Sequence, residues 1–264
     1  MSDQRRVDSL ISGSLPEEEE WAAITELAKG RLADVFPLAK KLIASASPRK
    51  RELGADILGA LASSGSDEKS TAARAPLTRL LVRETESHVL AAAVVGLGHA
   101  EATDRVTELA QFATHESSDV RAAVAFSLPA LLAGRLEKQE LDQAEITPLI
   151  SLTSDSDLEV RDWATFGLGL LLRDLDTPEV RAALSARTQD PDPQVRCEAL
   201  EGLGLRGDLV ALAEALRSCD VRVEAVLVAE QAADPALEEP LLELRPRWRG
   251  DPSDLERALA ASRR

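Results

Sequence analysis

Apolar residues recur along this chain at steps of three and four, and these recurrences form copies of one pattern. The clearest copy is Val160-Arg161-x-x-Ala164-x-x-x-Leu168-Gly169, whose Val, Ala and Leu fall on one side of a helix. The second position of the pattern falls at residues 51, 90, 121, 161, 196 and 222. Steps of this size, between 26 and 40 residues, are typical of repeated helical pairs.

Each copy predicts a first helix, and a second amphipathic segment follows it, as at residues 179–187 and 209–216. Ser156, with Glu159 three residues on, predicts a capping box that starts the helix of the clearest copy. The small Ala164 allows a neighbouring helix to approach closely. Because one such pair cannot bury its own apolar side, it must stack on the next pair. The pattern therefore predicts an all-α solenoid.

The pattern resembles the HEAT-repeat family, and in particular its bacterial branch. The resemblance lies in Asp119-Val120-Arg121, Glu159-Val160-Arg161 and Gln194-Val195-Arg196, each with its trailing Ala or Val and Leu, and it covers roughly residues 17–244. It implies a right-handed α-α superhelix of about six helical pairs with terminal caps. It also implies that the first helices of the pairs, here called the VR helices, line the outer convex layer. The second helices would then line the concave groove.

The same resemblance implies that Asp and Arg residues pair within and between repeats, as a ladder that holds the repeats in register. The predicted ladder residues are Asp119, Arg121, Asp157, Arg161, Asp192, Arg196, Asp220 and Arg222. Exposed pairs of this kind would each add only ~0.2–1 kcal/mol. We therefore expect the recurrent arginines to be structural.

Three segments are predicted: an N-terminal tail at 1–13, the HEAT-like repeat solenoid at 14–244 and a C-terminal capping helix at 245–264. The last segment is rich in arginine, around Trp248, whereas the rest of the chain is acidic. It is interpreted as a polar cap on the last repeat, with a basic docking segment as the alternative. The polar stretch 134–143 is a predicted insertion with a possible binding role, and Pro129 is expected to kink or shorten the helix before it.

The charge of the chain narrows its possible partners. The net charge is −15 and the isoelectric point is about 4.7, which disfavours nucleic acid and anionic membranes and favours a basic protein. Without an apolar leader or an 18-residue apolar run, the chain is predicted to be cytoplasmic. Cys197 and Cys219 are accordingly expected to be reduced thiols.

Motifs for catalysis are weak. Gly202-x-Gly204-x-x-Gly207 has the spacing of a dinucleotide fingerprint, but it follows a helical pattern, whereas that fingerprint requires a preceding strand. His88, His99 and His115 lack the spacing of a metal site. We therefore expect no enzyme activity, no metal and no cofactor.

The functional hypothesis is a non-enzymatic protein-protein interaction scaffold or adaptor. Its acidic groove would bind a basic protein partner, and inhibition of that partner is one possible use. The candidate contact residues are Trp163, Glu108, Gln111, Arg181 and Glu214. Trp163 is either an exposed interface anchor or packed between neighbouring repeats.

Two alternatives remain open. The first is a HEAT-like enzyme of the DNA-glycosylase or bilin-lyase type. The second is self-association, although a monomer is favoured.

Overall fold

A computed structural model describes residues 9–12, 16–137 and 141–263, and every regular element in these ranges is helical. In chain order the α-helices are α1 (Glu17–Ala28), α2 (Leu32–Ile43), α3 (Pro48–Ser63), α4 (Asp67–Arg83), α5 (Ser87–His99), α6 (Val106–Ala110), α7 (Ser118–Glu137), α8 (Gln143–Leu152), α9 (Leu158–Phe166), α10 (Pro178–Arg187), α11 (Pro193–Leu205), α12 (Leu209–Ser218), α13 (Val223–Ala232), α14 (Glu238–Leu244) and α15 (Pro252–Ser262). A π-helical turn at Gly167–Leu171 continues α9. Short 3₁₀ turns lie at Thr103–Arg105, Gln111–Thr114 and Pro235–Leu237.

The chain forms two compact units, Met1–Glu145 and Ile146–Arg264. In the first unit, α1, α3, α5 and α7 pack on one another in order, with α2, α4 and α6 against them. In the second unit, α9, α11, α13 and α15 pack in order, with α10, α12 and α14 beside them. Each unit is thus a stack of helical pairs, and the predicted all-α helical-repeat solenoid is confirmed.

The repeated apolar positions are the core of both units. Val120, Val160 and Val195 are all fully buried, as are Ala164 and Ala199 at the small position of the pattern. Each valine occupies the same place at the start of a VR helix. The periodicity of the sequence therefore identified the buried face correctly.

The expected assignment of the VR helices to the outer layer stays a prediction. In the first unit, α3, α5 and α7 pack on one another more extensively than the second helices α2 and α4 do. A Cβ on Gly59 would lie only 3.1 Å from Gly96 Cα of the next VR helix.

The expected shortening of the helix at Pro129 and the expected reduced thiols are wrong. Pro129 does not shorten its helix, because α7 continues through it to Glu137, and residues 134–137 of the predicted insertion are therefore helical. Residues 138–140 lie outside the described part of the chain. Cys197 and Cys219 are not reduced thiols but form a disulfide, with their Cα atoms 5.6 Å apart. Because Cys219 immediately follows α12, this bond ties the end of α12 to α11.

The two predicted terminal segments are partly described. Most of the predicted tail, residues 1–8 and 13, lies outside the described residues, whereas residues 9–12 are helical and Leu10 is buried. At the other end, α15 packs on α13 and α14. Arg247 donates hydrogen bonds to carbonyl oxygens of Leu216, Arg217 and Cys219, so this basic side chain binds its own unit.

Across the described ranges, we find no helix with both the length and the apolar character needed to cross a bilayer.

Candidate functional site

The recurrent arginine of the repeat anchors the turn that precedes its own helix. In four copies, its Nη1 atom donates to the backbone carbonyls six and five residues earlier, at distances between 2.6 and 3.2 Å. The acceptors are Ser45 and Ala46 for Arg51, His115 and Glu116 for Arg121, Asp155 and Ser156 for Arg161, and Asp190 and Pro191 for Arg196. These contacts give the arginines a structural role at the turns.

The carboxylates that pair with these arginines differ from the predicted ones. Arg51 pairs with Glu84 at 2.6 Å, Arg161 with Asp190 at 3.2 Å, and Arg222 with Glu201 at 2.8 Å. The hydrogen bond from Arg51, opposed by burial, lowers the pKa of Glu84 to about 2.

Of the four predicted ladder aspartates, two are helix caps and two are exposed. Asp157 and Asp192 cap α9 and α11, where each carboxylate accepts hydrogen bonds from two backbone N–H groups. Asp119 is exposed. Asp220 is also exposed, and its carboxylate lies 4.0 Å from Arg247.

Arg206 is a buried residue that the sequence analysis missed. Its guanidinium donates to five backbone carbonyl oxygens at 2.7 to 3.1 Å. The acceptors are Leu168, Gly169, Leu172, Leu175 and Gly202. The first three belong to or directly follow the π-helical turn, whose altered hydrogen-bond pattern Arg206 stabilises. Burial lowers the pKa of Arg206 to about 10, so the side chain remains charged at neutral pH.

An acidic cleft lies between the N-terminal halves of α9 and α11. Its lining is Asp157, Leu158, Glu159, Asp162, Asp192 and Gln194, and its volume is about 510 Å³. The two capping aspartates explain part of this acidity, since they neutralise the positive ends of the two helices. Glu159 and Asp162 add further negative charge from α9.

Glu198 lies one helical turn after Gln194, which lines the cleft. It is only 3% exposed, and its Oε1 atom accepts a hydrogen bond of 2.9 Å from Gln194 Nε2. Burial raises the pKa of Glu198 to about 7, and the negative charge of Asp162 acts in the same direction. Burial likewise raises the pKa of Asp162, as do Asp192 and Glu159 nearby.

A smaller pocket of about 80 Å³ in the first unit is lined by residues that include Trp21, Asp56 and His99. Burial, followed by the charge of Glu52, raises the pKa of Asp56 to about 7. Burial also lowers the pKa of His99. Both side chains are therefore biased towards their neutral forms.

The predicted contact residues fall in both units. Glu108 and Gln111 belong to the first unit, where Glu108 pairs with Arg105. In the second unit, Arg181 pairs with Asp176, and Glu214 is exposed on α12.

Trp163, also in the second unit, is half-buried on α9 and makes an edge-on contact with Phe166. None of the five predicted contact residues lines the acidic cleft.

The apparent dinucleotide fingerprint has a packing explanation. Gly202 and Gly204 lie inside α11, and a Cβ on Gly202 would come within 2.6 Å of Gly169 Cα. Gly207 has a φ of +82° in the turn after the helix, a conformation that favours glycine. Among the described residues, no group of three or more His, Cys, Asp or Glu side chains is arranged to hold a metal ion.

Comparisons with known proteins agree with this architecture. The family model for HEAT repeats matches residues 146–223. Protein YibA of Escherichia coli strain K12 is 29% identical over 137 residues, which are 50% of this chain and 45% of YibA. The sequence match thus spans less than half the length of this curated relative.

Two solved structures show the fold. The X-ray structure of E. coli YibA aligns with a TM-score of 0.71 and 22% identity, covering 100% of this chain and 93% of that chain. An engineered protein aligns with a TM-score of 0.62 and 21% identity, covering 99% of this chain and 78% of that chain. With its repeated VR helices and turn-anchoring arginines, the chain matches HEAT repeats at residues 146–223 and is similar in fold to YibA.

Proposed function

We propose that this protein is a non-enzymatic scaffold that binds a basic protein through the second unit. HEAT repeats generally mediate protein binding, and the observation that carries the finer proposal is the acidic cleft between α9 and α11. Its carboxylates belong to helices held by the turn-anchoring arginines and by Arg206. A rigid site of this kind loses little conformational entropy when a partner binds.

The charge of the chain supports the same proposal. A net charge of −15 attracts basic partners over a distance and accelerates their encounter. Affinity should therefore fall as salt rises, because the Debye length shortens from ~10 Å at 0.1 M to ~3 Å at 1 M. We also propose inhibition of a basic enzyme as one use of such binding.

The test uses defined peptides of matched length with basic, neutral and acidic sequences, titrated against the full chain by calorimetry. We expect only the basic peptides to bind, with an affinity that falls at least tenfold between 50 and 300 mM salt, roughly as expected for screened charges. Equal binding of neutral or acidic peptides would contradict the proposal. So would a preference for duplex DNA or a tetrapyrrole, which the alternative enzyme types require.

The cellular location and the assembly state remain predictions. We propose a cytoplasmic monomer, and the Cys197–Cys219 disulfide is the feature that opposes a cytoplasmic location. Disulfides persist mainly in oxidising compartments.

A further inference from the structure

We infer that the acidic cleft binds one arginine side chain of a protein partner, with its guanidinium between Asp162 and Glu198. This inference rests on the proposed function and assigns that function to particular atoms. It begins from two buried oxygen atoms. Asp162 Oδ1 and Glu198 Oε2 are shielded from solvent, and neither accepts a hydrogen bond from any residue in the described ranges. Buried carboxylate oxygens are normally paired, because burying them unpaired costs free energy.

The two oxygens belong to the cleft. Asp162 lines it directly. Glu198 is joined to it through Gln194, a lining residue that donates to the other carboxylate oxygen of Glu198. Because Glu198 Oε2 is shielded from solvent, a donor that enters beside Asp162 reaches this atom only when side chains of the cleft move.

Nearby arginines of the chain are already engaged. Arg161 donates to Asp190 and to two turn carbonyls. Arg222 pairs with Glu201 through Nη1 and lies 5.3 Å from the centre of the Phe166 ring. The charges that act on Glu198 are those of Asp162 on α9, Glu201 on α11 and Arg222 before α13, so two of the three are negative.

The capping aspartates are also engaged. The Oδ1 atoms of Asp157 and Asp192 accept backbone N–H groups of α9 and α11. The cleft therefore offers the carboxylates of Glu159 and Asp162 in addition to the charges of the two capping aspartates.

Arginine fits these features better than other cations. Its planar guanidinium carries five N–H donors in a fixed fork, which suits two acceptors on separate carboxylates. Leu158 lines the cleft and is 47% exposed, which offers apolar surface to the methylene stem. The volume of about 510 Å³ lies within the range of roughly 300–1,000 Å³ that is typical of ligand pockets.

The test compares three peptides that differ at one position, which holds arginine, lysine or citrulline in an otherwise neutral sequence. Each is titrated into the isotopically labelled full chain, and binding is followed by backbone amide shifts. We expect the arginine peptide to shift amides of residues 157–163 and 192–198. We also expect it to bind at least tenfold more tightly than the citrulline peptide and several-fold more tightly than the lysine peptide.

The matched variants keep the shape of the cleft and change its charge. The double variant Asp162→Asn/Glu198→Gln should lose at least tenfold in affinity for the arginine peptide. The control Glu179→Gln/Glu239→Gln removes the same charge from exposed positions of the second unit, outside the cleft, and should lose less than twofold. Circular dichroism verifies that both variants are folded, which we expect because the first double variant removes buried charge.

The outcomes separate the site from the general function. If basic peptides bind but the cleft variant binds them as well as the unaltered protein does, the site is wrong and the proposed function stands. If no basic peptide binds, both fail. Equal affinity for the lysine or citrulline peptide would overturn the arginine assignment. Saturable amide shifts at the cleft with calcium alone would overturn it in favour of a metal site.

Discussion

The two units use the same repeated motif but differ at the two positions that follow its second residue. In the copies around Leu90 and Arg121 of the first unit these positions hold alanine, and Ala122 and Ala123 of α7 are buried. In the second unit they hold Asp162-Trp163 in α9 and Cys197-Glu198 in α11. The valine before them and the small residue after them stay buried in both units. The scaffold therefore tolerates acids, an aromatic ring and a disulfide at these positions while its core is unchanged.

Each unit also contains a described carboxyl group whose pKa is raised to about 7. Asp56 in the first unit and Glu198 in the second both have a pKa raised to about 7, chiefly by burial. Arg49 opposes the shift at Asp56, and Arg222 opposes it at Glu198. The difference is in the surroundings, because only Glu198 lies beside a cleft lined with further carboxylates. Asp56 and Glu198 thus have similar pKa values, although the surfaces beside them differ.

The largest expected effect on stability concerns Arg206, which donates hydrogen bonds to the π-helical turn of the second unit. Arg206→Met keeps the apolar stem but leaves five buried carbonyl oxygens without their donor. We expect the free energy of unfolding to fall by about 3–5 kcal/mol, because each buried carbonyl oxygen left without this donor costs about 1–3 kcal/mol at most. Urea unfolding measures this loss, and amide hydrogen exchange should place it at residues 167–206.

The matched control is Arg173→Gln, which removes an arginine that is half exposed and 3.9 Å from Glu224. Its cost should stay within about 0.5 kcal/mol. Equal losses in the two variants would show that the carbonyl cluster contributes little stability.

The disulfide gives the next largest expected difference between the units, because both cysteines of the chain lie in the second unit. Replacing both with serine should lower the free energy of unfolding by about 2–4 kcal/mol, since the cross-link restricts the unfolded chain. A reducing agent should destabilise the unaltered protein by a similar amount and leave the double variant unchanged. Free thiols in the purified, air-exposed protein, detected by alkylation and mass spectrometry, would contradict this pairing.

The sequence predicted the repeat and the buried valines, because each depends on residues that are close together along the chain. It did not predict the partners of Arg51 and Arg161, because Glu84 and Asp190 lie 33 and 29 residues further on, in turns that lack a fixed spacing. The disulfide was missed for a similar reason, since two cysteines 22 residues apart form no recognisable framework. The burial of Glu198 was not predicted. The same position of the motif holds Trp163 and Ala123 in other copies, so its residue type does not indicate whether the side chain is buried. Periodicity identifies the buried face of a helix, but it cannot identify a polar side chain that a neighbouring helix covers.

The dependence of stability on pH sharpens the comparison between Asp56 and Glu198. A carboxyl group with a raised pKa binds its proton more tightly in the folded state. Its contribution to stability is therefore fully present below the ordinary value, 4.5 for Glu198, and is lost as pH rises through about 7. At pH 8, Glu198→Gln should be more stable than the unaltered protein by about 1–3 kcal/mol.

This gain should shrink towards zero at pH 5. Asp56→Asn should behave in the same way from the first unit, and urea unfolding at both pH values measures each variant. A gain from Glu198→Gln that is the same at pH 5 and pH 8 would show that the carboxyl group does not titrate with a raised pKa.

The smallest effect on stability that we predict concerns Glu84, the carboxylate partner of Arg51, and it depends on pH in the acid range. Arg51 holds the pKa of Glu84 at about 2, chiefly through its hydrogen bond, so the stability that Glu84 contributes is present above its ordinary pKa of 4.5 and is lost as pH falls through about 2. Glu84→Gln keeps an acceptor for the backbone N–H groups of Thr85 and Glu86 but removes the charge that faces Arg51. We expect it to lower the free energy of unfolding at pH 7 by about 1 kcal/mol, because the ion pair is only partly shielded from solvent.

The difference between Glu84→Gln and the unaltered protein should narrow as pH falls below 4 in urea unfolding experiments. Asp190→Asn is the counterpart in the second unit, where backbone and Arg161 hydrogen bonds outweigh burial and lower the pKa of Asp190. If the ladder acts alike in both units, the two variants will lose stability in the same direction and with the same dependence on pH. A loss at Glu84 that persists unchanged at pH 2 would mean that the shape of the side chain, and not its charge, supports the turn.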